Sequence, residues 1–112
     1  MKPLSVVSVG AFAVAMSTSS QAFDEAAAVG LFKSSKYSCT KCHAINKDKN
    51  GPAYHKVAET HKGEADAEEK LIRHLTEGKV VKLPDGREEE HQIVKEADPE
   101  QLRNLVQWIL AQ

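Results

Sequence analysis

The sequence predicts an all-α domain of about four helices with a short extended turn before the last of them. Three observations lead there. Four segments carry apolar residues at helical spacing, no strand–helix–strand alternation occurs, and 112 residues with 41% apolar and 28% charged side chains allow one globular domain at most.

The first helix is expected from Asp24 to about Lys36, with Asp24 and Glu25 at the positive end and Ala28, Leu31 and Phe32 on one face. A short second helix follows Gly51-Pro52, where Tyr54, Val57 and Ala58 share a side. The third runs from about Asp66, an N-cap candidate with Glu69 at N3, through Leu71, Ile72 and Leu75 to a glycine stop at Gly78. Val80 to Leu83 then reads as an extended arm, Pro84-Asp85-Gly86 as a tight turn, and Glu88 to His91 as the return toward the core. The last helix has the strongest pattern: Asp98 as N-cap, Pro99 at N1, Gln101 at N3, and Leu102, Leu105, Val106, Ile109 and Leu110 along one stripe.

Met1 to Ala22 reads as a secretory signal peptide rather than as part of this domain. Lys2 supplies a basic start, Leu4 to Met16 is an apolar run of thirteen residues, and Ser20-Gln21-Ala22 places small residues where a signal peptidase cuts. A bilayer-spanning helix takes about 20 apolar residues, so the run is short for an anchor. Cleavage after Ala22 would leave a domain of residues 23–112 in the periplasm, without a membrane span.

That domain has a net charge of −2, divided unevenly. Phe23 to Lys62 holds seven lysines and four acids, whereas Gly63 to Gln112 holds seven bases and twelve acids. Nucleic acid is therefore a poor partner. A domain this small buries a modest share of its surface and has only three Phe or Trp, Phe23, Phe32 and Trp108, so a bound apolar group would help complete its core.

Cys39-Thr40-Lys41-Cys42-His43 is the attachment pattern for haem c. Thiols three residues apart can add to two vinyl groups on one side of a porphyrin, and the turn they impose directs His43 under the iron as the proximal ligand. Two other readings compete. Cys39-x2-Cys42-x12-His55-x5-His61 has zinc-finger spacing, but Gly51 and Pro52 stand where the helix leading into the first histidine should run. A thioredoxin-like thiol pair expects a strand before the motif and a βαβ setting, which this chain lacks.

The chain resembles the short-chain bacterial class I cytochromes c. The resemblance rests on Leu31-Phe32-Lys33, the motif Cys39 to His43 with Ala44-Ile45, Gly51-Pro52-Ala53-Tyr54 with Val57-Ala58, Leu71 to Gly78, and the helix of Trp108. It implies one covalent haem c through Cys39 and Cys42, a bond from the His43 imidazole to the Pro52 carbonyl, and crossing first and last helices that set Gly30 and Phe32 against Val106 and Ile109. It also implies a polar contact between His74 and a haem propionate.

The family's usual methionine ligand is missing, because the only methionines, Met1 and Met16, lie in the leader. The family's methionine stands about seven residues before the acidic cap of the last helix. Seven residues before Asp98 is His91, which is read as the replacement. Lys82 and Lys95 are the alternative amine ligands, and His55 and His61 are expected at the surface.

The expected function is single-electron transfer by a bis-histidine haem, with no catalytic base or nucleophile and so no enzyme activity. Redox proteins are the expected partners, docking on a lysine-rich face around the haem edge. A haem sensor with a displaceable His91, or a cytochrome subunit of a periplasmic oxidoreductase, are the other readings.

Overall fold

The computed structural model describes residues 2–14, 23–94 and 97–112. The expected cleavage site at Ser20 to Ala22, Met16, and Lys95 lie outside them. Residues 2–14 contain no helix or strand and are exposed. Among the described residues no helix is long and apolar enough to cross a membrane.

Among the described residues five helices and one hairpin follow in order: α1 (Glu25–Phe32), α2 (Cys39–Cys42), α3 (Tyr54–Thr60), α4 (Ala67–Thr76), β1 (Val80–Lys82), β2 (Glu88–Glu90) and α5 (Pro99–Leu110). Four of the helices are those the periodicity predicts. The fifth, α2, is one turn around the cysteine pair, too short to leave a periodic signal. α1 starts as expected, with the Asp24 carboxylate accepting from the Ala27 N–H at 3.1 Å. It stops before Lys36 because Ser34 and Ser38 bond the local backbone instead, Ser34 Oγ accepting from the Lys36 N–H at 3.3 Å and Ser38 Oγ donating to the Ser35 carbonyl at 3.0 Å.

Asp66 occupies the N-cap position of α4, but no side-chain cap bond forms there. Its carboxylate lies 3.6 Å from Lys70 Nζ instead, so the expected cap is replaced by an ion pair one turn along. Gly78, at φ +63°, ends the helix in the left-handed conformation that glycine adopts without strain. The extended arm is half of an antiparallel hairpin, with Val80 opposite Glu90 and Lys82 opposite Glu88. Three successive glutamates are poor strand formers, and the Pro84-Asp85-Gly86 turn, closed by Gly86 N–H to the Leu83 carbonyl at 2.9 Å, sets the pairing that their sequence alone does not suggest.

α5 is the spine. Its Asp98 carboxylate accepts from the Glu100 N–H at 3.2 Å, and Leu102, Leu105, Val106, Trp108 and Ile109 are all buried. Phe32, Tyr54 and Trp108 bring α1, α3 and α5 into one aromatic cluster, with ring centroids 5.2, 5.5 and 5.9 Å apart. Burying each ring contributes on the order of 2–3 kcal/mol. The α1–α5 crossing is made by Ala28 and Phe32, not by Gly30, which is exposed and whose absent Cβ would meet nothing within 4 Å. Its outer end is tied by a reciprocal pair: the Asp24 N–H donates to Asn104 Oδ1 at 2.6 Å and Asn104 Nδ2 donates back to the Asp24 carbonyl at 2.8 Å.

Candidate functional site

Between α2 and α3 on one side and α4 with the hairpin on the other lies a cleft of about 850 Å³. Val57, Leu71, Leu75, Val81, Leu83, Val94 and Ile109 give it apolar walls. Cys39, Cys42, His43, Pro52, His74 and His91 all line it, so these six residues meet at one place.

The loop from His43 to Ala53 sets the proximal side. The Asp48 carboxylate accepts from the Ala53 N–H at 2.9 Å and pairs with Lys56, holding its own pKa below the usual carboxylate range. The Gly51 N–H donates to the Cys42 carbonyl at 2.7 Å. That closure presents the Pro52 carbonyl to His43, whose Nδ1–H donates to it at 2.8 Å. A Cβ on Gly51 would stand 2.4 Å from His43 Cε1, so only glycine leaves room for the ring. Tyr54 stacks on the imidazole, centroids 4.9 Å apart and planes 27° from parallel. Burial lowers the His43 pKa, with the Pro52 carbonyl opposing, which favours the neutral imidazole that a metal requires.

Opposite, His91 follows β2 in a segment laid along the end of α4. Its N–H donates to the Lys79 carbonyl at 2.8 Å, and the Val94 N–H donates to the Leu75 carbonyl at 2.7 Å. Gln92 reaches the Lys36 carbonyl at 3.2 Å, tying this segment to the approach to the cysteines. His91 Nδ1–H donates to the Gln92 carbonyl at 2.9 Å. The His43 and His91 ring centroids are 6.1 Å apart and their planes lie at 44°. Two imidazoles binding one metal ion from opposite sides, with metal–nitrogen bonds of about 2 Å, have centroids about 6 Å apart. The cleft therefore fits a flat apolar group carrying a metal with two nitrogen ligands.

His74 lies on the His91 side, ring centroids 4.3 Å apart. Burial, then the positive charges that His91 and His43 would carry, push its pKa down to about 4. Lys82 is exposed at the rim of the same cleft. The zinc alternative fails: His55 is exposed and its Nδ1–H donates to the Gln112 carbonyl at 2.8 Å, while His61 is 3.0 Å from Glu64. Among the described residues no three His, Cys, Asp or Glu side chains group around a metal position.

The family model described as cytochrome c matches residues 21–112. The chain belongs to the cytochrome c family. It is similar in structure to the class 1 cytochrome MtoD from Sideroxydans lithotrophicus ES-1, at 50% identity and a TM-score of 0.77, over 80% of this chain and 97% of that one. No curated protein matches the chain. The cytochrome thus has the class I fold that the resemblance implies, and membership gives it an electron-carrier role and a covalent haem c. Carriers of this kind are in general not enzymes.

Two features of the site carried no role in the sequence reading. Tyr54 and Gly51 both belong to the segment that carries the resemblance, but their work, a stacking plate and a vacancy for the His43 ring, depends on a loop closure that spacing does not reveal. The lysines that line the cleft are mostly not those among which a docking face was expected. Of the seven lysines in Phe23 to Lys62 only Lys56 lines the cleft, and its other lysines are Lys70 of α4, Lys79 between α4 and β1, and Lys82 of β1.

Proposed function

We propose that the cytochrome is a periplasmic single-electron carrier whose haem c is attached through Cys39 and Cys42 and ligated by His43 and His91. The carrying observation is the matched disposition of the two histidines. Each commits Nδ1–H to a backbone carbonyl, which fixes the tautomer and leaves the Nε2 lone pair for a metal, and the ring separation suits one ion between them. Met1 to Ala22 is the export signal and residues 23–112 are the working domain.

When bound, the haem supplies an iron that cycles between ferric and ferrous states. The chain's own residues hold it, exclude water and set its ligands. Pro52 keeps the proximal imidazole oriented and electron-rich, while the aliphatic walls lower the polarity around the group. His74, on the His91 side of the cleft, would be the residue to meet a propionate. Imidazole in place of the family's thioether lowers the reduction potential, since methionine ligation raises it. The partners are then redox proteins working at lower potential than those of methionine-ligated relatives, approaching the edge where Lys56, Lys70, Lys79 and Lys82 stand. Spectra of the ferric wild type and of His91→Ala test the ligand pair directly.

A further inference from the structure

The two imidazoles are held by parallel devices. His43 has a backbone carbonyl, that of Pro52, on Nδ1 and an aromatic ring, Tyr54, against its plane. His91 likewise has the Gln92 carbonyl on Nδ1. The ring against it is His74, at 4.3 Å between centroids and 50° between planes. A single bond to the carbonyl of the next residue does not fix the plane of an imidazole, because carbonyl oxygens accept over a broad range of directions and Gln92 moves with the His91 backbone. A ring carried on a separate helix does. His74 stands on α4, whose Leu71 and Leu75 pack against the core cluster. Neither nitrogen of His74 has a hydrogen-bond partner among the described residues, so its engagement with His91 is one of packing.

We infer that His74 is the positioning residue for the distal ligand, setting the orientation of the His91 plane, which lies at 44° to that of His43, by packing on the His91 ring. The inference rests on the bis-histidine reading. In a low-spin ferric haem the relative orientation of the axial imidazole planes controls the splitting of the iron d orbitals and hence the g values. A residue that orients a ligand through packing is thus visible in the spectrum of the iron.

The test is electron paramagnetic resonance of the ferric holoprotein in wild type, His74→Phe, His74→Gln and His74→Ala, with haem content and far-ultraviolet circular dichroism checked for each. Wild type should give one low-spin bis-imidazole species. His74→Phe, which keeps a ring, should retain its g values, whereas His74→Gln and His74→Ala should shift the largest g value and broaden the signal. Unchanged g values in all three variants would overturn the inference, as would a wild-type signal in His74→Gln with a shifted one in His74→Phe, which would mark a polar contact. A wild type lacking bis-imidazole signals would instead overturn the ligand assignment and the inference with it.

Discussion

His43 and His91 approach from opposite walls of one cleft, each with Nδ1 bonded to a main-chain carbonyl, their ring centroids 6.1 Å apart. The arrangement defines both tautomers before any metal is considered. It also makes the two sides unequal in origin: His43 is delivered by a five-residue motif, and His91 by the segment after the hairpin, whose backbone bonds to Lys79 and Leu75.

The protein exported by a cell competent for cytochrome c maturation should have the mass of Phe23 to Gln112 plus one haem. Replacing Cys39 or Cys42 by Ala should lower haem retention on denaturing gels. A full-length mass, or a zinc adduct without haem, would refute this assignment.

Gly51→Ala should be among the most damaging single-methyl changes in the chain. The new Cβ would fall 2.4 Å from His43 Cε1, and the ring cannot retreat while Pro52 and Tyr54 hold it. Overpacking of this kind costs about 1–3 kcal/mol. Thermal unfolding of the holoprotein, with its visible spectrum, should show a lowered midpoint and a disturbed proximal ligand. Gly30→Ala, with nothing within 4 Å, should be neutral or slightly stabilising, since alanine is the better helix former.

Asp48 gives a pH prediction. The Ala53 N–H and then Lys56 lower its folded-state pKa below the ordinary 3.8. Its stabilising contribution is therefore complete above that ordinary value and disappears as pH falls through the lower folded-state value. Unfolding midpoints measured across the acid range should fall less steeply for Asp48→Asn than for wild type. Parallel curves would show that the carboxylate does not support the proximal loop.

Trp108→Ala should destabilise by about 3–5 kcal/mol, because it opens a hole where α1, α3 and α5 meet. Denaturant titration measures it. A loss below about 1 kcal/mol would mean that the cluster repacks around the gap.

The elements that repeat every few residues were legible in the sequence: α5 from its cap, proline and stripe, and α4 from its apolar face and the Gly78 stop. Where the sequence reading fell short, the cause is tertiary. α1 ends early because serine hydroxyls take backbone partners that helix continuation would use. β2 exists because a turn places Glu88 to Glu90 beside Val80 to Lys82, against their own preference. The cysteine motif singled out His43, the family's methionine spacing before Asp98 singled out His91, and both line the one cleft. The contact of His74 with His91 was not legible, because no rule of spacing relates a helix position to a residue beyond a hairpin.

The central claim is that His91 is the second ligand, and the most direct measurement is the absorption spectrum of wild type and His91→Ala in both redox states, with and without CO. Wild type should be low-spin, lack the iron–methionine charge-transfer band in the ferric state, and respond little to CO. His91→Ala should be high-spin when ferric and bind CO readily when ferrous. The same spectrum and the same indifference to CO in both proteins would contradict the account and move the distal ligand to another residue of the cleft.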